Sequence, residues 1–240
     1  MVKITADELV DTKISSGSEV IDWLLEGGYE KDVLTCIYGS PGVGKTNLLL
    51  LLLAKSPDLQ GKKVLFIDTE GNFSLSRFKQ LAKDYDEILK RTIFLRPVNF
   101  SEQRKAFERL RTLVTNKIGA IILDSVAMLY RLELGKDKDV YNVNRDLGLQ
   151  LSYLTEIARK KKIPIIVTNQ VYADIEKERG IKMVGGDILR YSSKCLIELR
   201  KNDDNSRTVI LRKHRSLPEQ QIDFKITDEG IEEIKNVDGT

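Results

Sequence analysis

Short runs rich in β-branched and aromatic residues recur at Val33 to Tyr38, Val64 to Asp68, Thr92 to Leu95, Ala120 to Asp124 and Ile163 to Asn169, each bounded by polar turns. Runs of this length and make-up predict buried strands. Between them apolar positions return at helical spacing over Lys45 to Ala54, Leu75 to Lys90, Ser101 to Asn116 and Val140 to Lys161. The alternation predicts a mainly parallel, twisted sheet with helices on both faces and right-handed crossovers. After Asn169 the style changes. Lys194 to Lys201, Arg207 to Lys213 and Gln221 to Thr227 read as successive strands joined by Asn-, Asp- and Pro-containing turns, with no long helix between them. They predict an antiparallel extension at one edge of the sheet.

The 240 residues, 41% hydrophobic and 31% charged, suit one α/β domain over 1–240, and no linker, repeat or low-complexity tract divides them. The longest apolar run, Leu48 to Ala54, is far shorter than the roughly 20 residues of a membrane span. With no charged-then-apolar opening segment either, the expectation is a cytoplasmic protein without a membrane partner. Cys36 and Cys195 stand far apart inside apolar stretches, which predicts buried thiols. The net charge of +3 permits contact with nucleic acid without arguing for it.

Chemistry enters at Gly39-Ser40-Pro41-Gly42-Val43-Gly44-Lys45-Thr46, a complete G-x-x-x-x-G-K-[ST] placed between a strand and a helix. Glycines let the backbone wrap an anion with its N–H groups, the helix adds its positive end, and Lys45 adds a full charge. Thr46 offers a hydroxyl to Mg²⁺, so ATP with Mg²⁺ is the expected ligand pair. Two further apolar strands end in carboxylates, at Asp124 and at Asp68-Thr69-Glu70. In a parallel sheet such residues emerge at the ligand-binding edge. There Asp124 can hold Mg²⁺ through water, and Glu70 can orient and deprotonate a water for in-line attack.

Several ordered segments resemble the RecA/RadA recombinase superfamily. They are Ile14 to Ser18 with Leu24 to Gly28, Asp68 to Phe73 with Arg77, Leu123-Asp124-Ser125 with Leu129-Tyr130-Arg131, Val167 to Val171, Gly185-Gly186-Asp187, Leu217-Pro218-Glu219 and Ile226 to Ile231. The resemblance implies a RecA-type P-loop NTPase core in which Lys45, Glu70 and Gln170 are catalytic. Gln170 would sense the terminal phosphate, Asp124 and Thr46 would hold the metal, and Arg77 would lie on the adenine face. It also implies two DNA-facing loops, drawing attention to Tyr130, Arg131, Lys136, Lys138, Arg145, Tyr172, Lys177, Arg179 and Lys182. Acids are interleaved with these cations, so a merely solvated surface stays open as the alternative.

Full recombinases of that superfamily carry a helical DNA-binding domain and a Phe-x-x-Ala plug before the core, whereas only a short extension over 1–13 precedes the core here. The segment Arg212-Lys213-His214-Arg215-Ser216 stands where they offer an Asp-Ser-Pro cap to a neighbour's nucleotide. A core with a basic final hairpin is most similar to the RadB family of archaeal paralogues. That implies a DNA repair and recombination protein with weak, DNA-independent ATPase activity and no strand exchange alone. It implies single-stranded or branched DNA as ligand, assistance to a RadA-type recombinase or a Holliday-junction nuclease, a weak homo-oligomer and a nucleoid-associated place in the cytoplasm. Two alternatives remain: a nucleotide-gated adaptor with negligible hydrolysis, and a single-domain relative of the KaiC ATPases, suggested by Lys213-His214-Arg215. Arg159-Lys160-Lys161-Lys162 closes a helix and reads as capping of its last carbonyls, and His214 reads as a surface residue.

Overall fold

The computed structural model describes residues 12–136, 140–174 and 180–235. Its strands are β1 (Lys13–Ile14), β2 (Tyr29–Glu30), β3 (Leu34–Gly39), β4 (Lys63–Asp68), β5 (Thr92–Leu95), β6 (Ile118–Asp124), β7 (Ile165–Asp174), β8 (Gly180–Met183), β9 (Cys195–Lys201), β10 (Arg207–Lys213), β11 (Gln220–Thr227) and β12 (Gly230–Glu233). The helices are α1 (Glu19–Leu24), α2 (Lys45–Lys55), α3 (Leu75–Leu81), α4 (Tyr85–Lys90), α5 (Phe100–Leu113), α6 (Met128–Leu134), α7 (Val140–Lys161) and α8 (Gly186–Ser192).

The main sheet runs β12-β11-β10-β9-β3-β7-β6-β4-β5, with β8 paired to β7 off this path. From β9 to β5 every pairing is parallel, and from β9 to β12 every pairing is antiparallel. The expected α/β class, parallel centre and antiparallel C-terminal edge are therefore all present. Strands β3 and β6 are buried at every position, as continuous apolar runs covered on both faces must be. Alternate side chains feed two cores: Ile37, Phe66, Ile122 and Ile197 pack under α1 to α4, while Cys36, Leu65, Ile121 and Leu196 pack under α5 to α8. Both cysteines are free and buried, and burial pushes the Cys195 thiol up to about 12.

The leucines Leu48 to Leu53 of α2 are all buried. Their outer side is covered by the entry segment, where Gly17 adopts φ +78° and a Cβ would fall 2.2 Å from the Leu51 carbonyl oxygen. Only a residue without a side chain lets the two backbones come this close.

The helix expected over Leu75 to Lys90 is two helices. Ala82 leaves helical geometry at φ −132°, ψ 121°, and Asp84 starts α4, with Asp86 and Glu87 in its first turn. Leu81 and Ala82 are both buried, so the break turns consecutive apolar residues inward, which a continuous helix would separate by about 100°. Elements that the periodicity did not announce are β1, β2, α1, α6, α8, β12 and the β7–β8 pairing. They are short or continue a neighbour, and carry too few residues for a period to show.

Phe66 stands at 0% exposure beneath α2, with Phe73 edge-on at 5.4 Å and Phe94 at 5.5 Å. Replacing Phe66 by Ala is expected to cost about 3–5 kcal/mol. Urea titration would show it as a lower midpoint with an unchanged slope.

Candidate nucleotide site

Strand β3 ends at Gly39 and α2 starts at Lys45, so residues 40–44 form a loop over the carboxyl end of the sheet. Gly44 caps α2 at φ +109°, ψ 11°, and a Cβ there would meet the Ile226 side chain at 2.9 Å. Among the described residues, no backbone N–H of 40–44 donates to an acceptor within the chain. Free amides at a helix start form the concavity that an anion fills. The Lys45 ammonium donates to the carbonyls of Gly39 and Ser40 at 2.8 and 2.9 Å. Burial lowers its pKa, and the fields of Glu70 and Asp124 oppose that shift. Ser40, Pro41 and Gly42 are exposed at the rim, and Val43 is buried beneath it.

Strands β4 and β6 deliver the carboxylates side by side, with Asp68 and Asp124 in register. Asp124 is 2% exposed; it accepts a 2.6 Å hydrogen bond from the Thr46 hydroxyl and another from the Thr168 hydroxyl. Burial pushes its carboxyl above the usual range, and these two donors pull it partly back. The hydroxyl and carboxylate oxygens of Thr46 and Asp124 form the hard, all-oxygen donor set that Mg²⁺ prefers. Asp68 has a different task. Its oxygens accept from the backbone N–H of Gly71 at 2.8 Å and of Asn72 at 3.2 Å, folding residues 69–73 over the strand end.

That fold places Glu70 against two other segments. Its Oε1 accepts from Ser125 Oγ at 2.5 Å and from Gln170 Nε2 at 2.8 Å, and its Oε2 accepts from Asn72 Nδ2 at 2.7 Å. Thr69 ties the same corner, donating through its hydroxyl to the Ser125 carbonyl and accepting from the Ser125 N–H. Lys45, Thr46, Glu70, Asp124 and Gln170 are thus brought together. Ser125, Asn72 and Thr168 join them without having been assigned a task from the sequence. Each lies inside a recognised segment, but only the folded sheet shows which carboxylate it meets.

Arg77 lies beside this group. Its guanidinium donates to Asn47 Oδ1, Gln80 Oε1 and the carbonyls of Thr227 and Asp228, at 2.7–3.0 Å. These bonds fix the plane of the group by its edges and clamp the β11–β12 turn onto α2.

Beyond Gln170, β7 runs on to pair with β8. Tyr130, Arg131, Asn144, Tyr172, Gly185 and Asp187 help line a cleft of about 370 Å³ between α6, α7, β7 and α8. Tyr172 is 53% exposed there. Tyr130, expected to offer a stacking face, is instead buried, its ring packed edge-on against Phe100 and its hydroxyl on Asn144. Lys136, Arg145 and Lys182 are exposed, Arg145 lying 3.9 Å from Asp146. Lys138, Lys177 and Arg179 lie outside the described residues.

The basic hairpin is turned inward. Arg212 binds Glu198 and Glu219, Lys213 caps the carbonyls of Arg190 and Ser193 at the end of α8, and Arg215 binds Glu30 and Asp32. His214, expected at the surface, has a side chain 1% exposed with Nε2 3.5 Å from Glu30. Its Nδ1 accepts from the N–H groups of Ser216 and Leu217. Glu30, 184 residues away in the chain, buries it.

A phosphate-loop strand–helix unit, carboxylates at the ends of neighbouring strands and an antiparallel edge define a RecA-type ATPase core. Comparison agrees and goes further. The Rad51 family model matches residues 7–234. The DNA repair and recombination protein RadB of Methanococcus maripaludis is 42% identical over 218 residues, covering 90% of this chain and 98% of that protein. Its counterpart in Methanobrevibacter smithii is 38% identical over 238 residues, covering 96% and 100%. A crystal structure of the RadB recombinase superposes with a TM-score of 0.77 at 36% identity, covering 92% of this chain and 99% of that one. The chain belongs to the Rad51 family and, within it, to the RadB proteins of DNA repair and recombination. This decides against the KaiC-like alternative, whose motivating basic hairpin is satisfied internally.

Because the folded-state pKa of Asp124 is raised, its contribution to stability is greatest when it is protonated and is lost as pH rises from the ordinary carboxylate value through the raised one. At neutral pH Asp124→Asn is therefore expected to raise the Tm of the nucleotide-free protein. The same variant is expected to lose the further rise in Tm caused by ATP with Mg²⁺. Differential scanning fluorimetry with and without ligand measures both.

Proposed function

We propose that this chain binds ATP with Mg²⁺ at Gly39 to Thr46, hydrolyses it slowly, and binds single-stranded or branched DNA at the cleft beyond Gln170. The observation that carries the reading is the 2.8 Å hydrogen bond from Gln170 to Glu70. It joins the carboxylate beside the phosphate loop to the strand that continues into the cleft.

In this reading the loop amides and Lys45 hold the phosphates, with the ammonium leaving the carbonyls of Gly39 and Ser40 for the stronger acceptor. Thr46 and Asp124 hold Mg²⁺, which supplies charge neutralisation on the phosphates. Glu70 takes the proton of the attacking water, and Gln170 reports the state of the site to β7. The flat face of Arg77, left open by its edge-bound donors, receives the adenine. Tyr172 stacks on a base while Arg131, Lys136, Arg145 and Lys182 meet phosphates. The role is that of a nucleoid-associated accessory to a RadA-type recombinase or a Holliday-junction nuclease, acting alone or as a weak homo-oligomer.

A second reading, the nucleotide-gated adaptor, is favoured by one observation. Both oxygens of Glu70 already accept hydrogen bonds, three in all, which leaves little of the carboxylate's acceptor capacity for an attacking water. Measuring phosphate release separates the two. Glu70→Gln is expected to lower hydrolysis by roughly 10²–10⁴-fold while nucleotide binding persists. Hydrolysis unchanged in that variant would remove Glu70 as the base.

A further inference from the structure

The sheet has a second long edge, at the amino ends of its parallel strands and opposite the nucleotide site. Backbone hydrogen bonds align the strand starts in a row: Val64 N–H to Arg91 O at 3.1 Å, Lys63 N–H to Lys117 O at 2.9 Å, Ile121 N–H to Pro164 O at 3.2 Å, Ile165 N–H to Val33 O at 3.3 Å and Lys194 N–H to Leu34 O at 3.1 Å. On this row stand Lys62, Lys63, Lys117, Lys161, Lys162 and Lys194, all exposed. Among the described residues none of their ammonium groups has an ion-pair or hydrogen-bond partner. Carboxylates near these positions in sequence are engaged elsewhere: Asp32 by Arg215, Asp58 by the Ser15 N–H and Glu156 by Lys160.

Six unpaired lysines on one edge outnumber the net charge of +3 on the whole chain. Capping explains Lys161 at the end of α7, but Lys63 opens β4, Lys62, Lys117 and Lys194 precede strands, and none of these four caps a helix. Strands about 4.8 Å apart spread the lysines, which run from β4 to β9, over roughly 19 Å. Duplex DNA presents a charge about every 1.7 Å of its axis, so a straight row of that length faces several phosphates at once. Lysine is a point charge without the planar fork that reads base edges, which suits contact independent of sequence. Residues 60–63, 115–118 and 160–164 expose no large apolar side chain. Insertion into a lipid surface needs such side chains.

We propose that this edge is a second nucleic-acid surface, binding the phosphate backbone of duplex DNA on the side of the molecule away from the loop cleft. It extends the DNA-binding reading of the preceding section but uses none of its residues. The test compares three full-length proteins on a short blunt duplex, and on a single strand of equal length, over a series of salt concentrations. They are the wild type, an edge variant carrying Lys62→Gln, Lys63→Gln, Lys117→Gln and Lys194→Gln, and a cleft variant carrying Arg131→Gln and Tyr172→Ala. For the edge variant, duplex affinity is expected to fall at least about tenfold at low salt. The slope of log K against log salt should flatten by about 3–4, since each lost phosphate contact removes about 0.9. Its single-strand affinity and its thermal shift with ATP should stay as in the wild type. Unchanged duplex affinity and slope would overturn the edge proposal, even if the cleft variant loses single-strand binding as the proposed function requires. A cleft variant that keeps single-strand binding would instead remove the cleft reading and leave the edge standing. Wild-type protein that binds phosphatidylserine vesicles but no duplex would also overturn the edge proposal.

Discussion

One half-buried carboxylate, Glu70, organises the working edge of this molecule because each of its hydrogen-bond donors comes from a different place in the chain. Ser125 follows β6, Gln170 lies in β7, and Asn72 belongs to the loop that Asp68 folds over the end of β4. A carboxylate taken partly out of water must be paired, so Glu70 holds these segments at a fixed separation. The neighbouring Asp124 obeys the same constraint through Thr46 of α2 and Thr168 of β7. Phosphate loop, carboxylate loop and the strand leading to the cleft are thereby one hydrogen-bonded unit. A change in what the loop binds has a short physical route, through two side chains, to the cleft.

The charges of the C-terminal region serve a different end. Arg212, Lys213 and Arg215 each meet acceptors within the chain, and His214 is enclosed with Glu30. These contacts fasten the antiparallel edge to β2, β9 and α8. Cations that lack such partners, as along the amino edge of the sheet, remain available to a polyanion. Pairing, not the count of basic residues, separates structural from available charge.

Much of this is legible in the sequence. Strand and helix periods located the parallel centre, with β5, β10 and α7 falling where they were expected. The phosphate loop could be read in full because its chemistry is local: glycines, Lys45 and Thr46 lie within eight consecutive positions. The break at Ala82 was hidden because the residues around it still fit a helical spacing. His214 read as a surface residue because its partner Glu30 lies on the far side of the chain's length, and nothing in the spacing of either reveals the pair. Ser125, Asn72 and Thr168 were quoted within motifs, yet their tasks depend on the register of β4, β6 and β7. Tyr130 showed the converse, since an aromatic residue in an expected binding segment turned out to be packed inside.

In the proposed function the Glu70–Gln170 bond carries the state of the nucleotide site to the cleft, a coupling that amide hydrogen exchange reads. In the wild type, adding ATP with Mg²⁺ should change the protection of peptides spanning β7 and β8. In Gln170→Ala that change should vanish, while protection of the phosphate-loop peptide still responds to the nucleotide. An identical response of β7 and β8 in both proteins would mean that the bond carries no such signal.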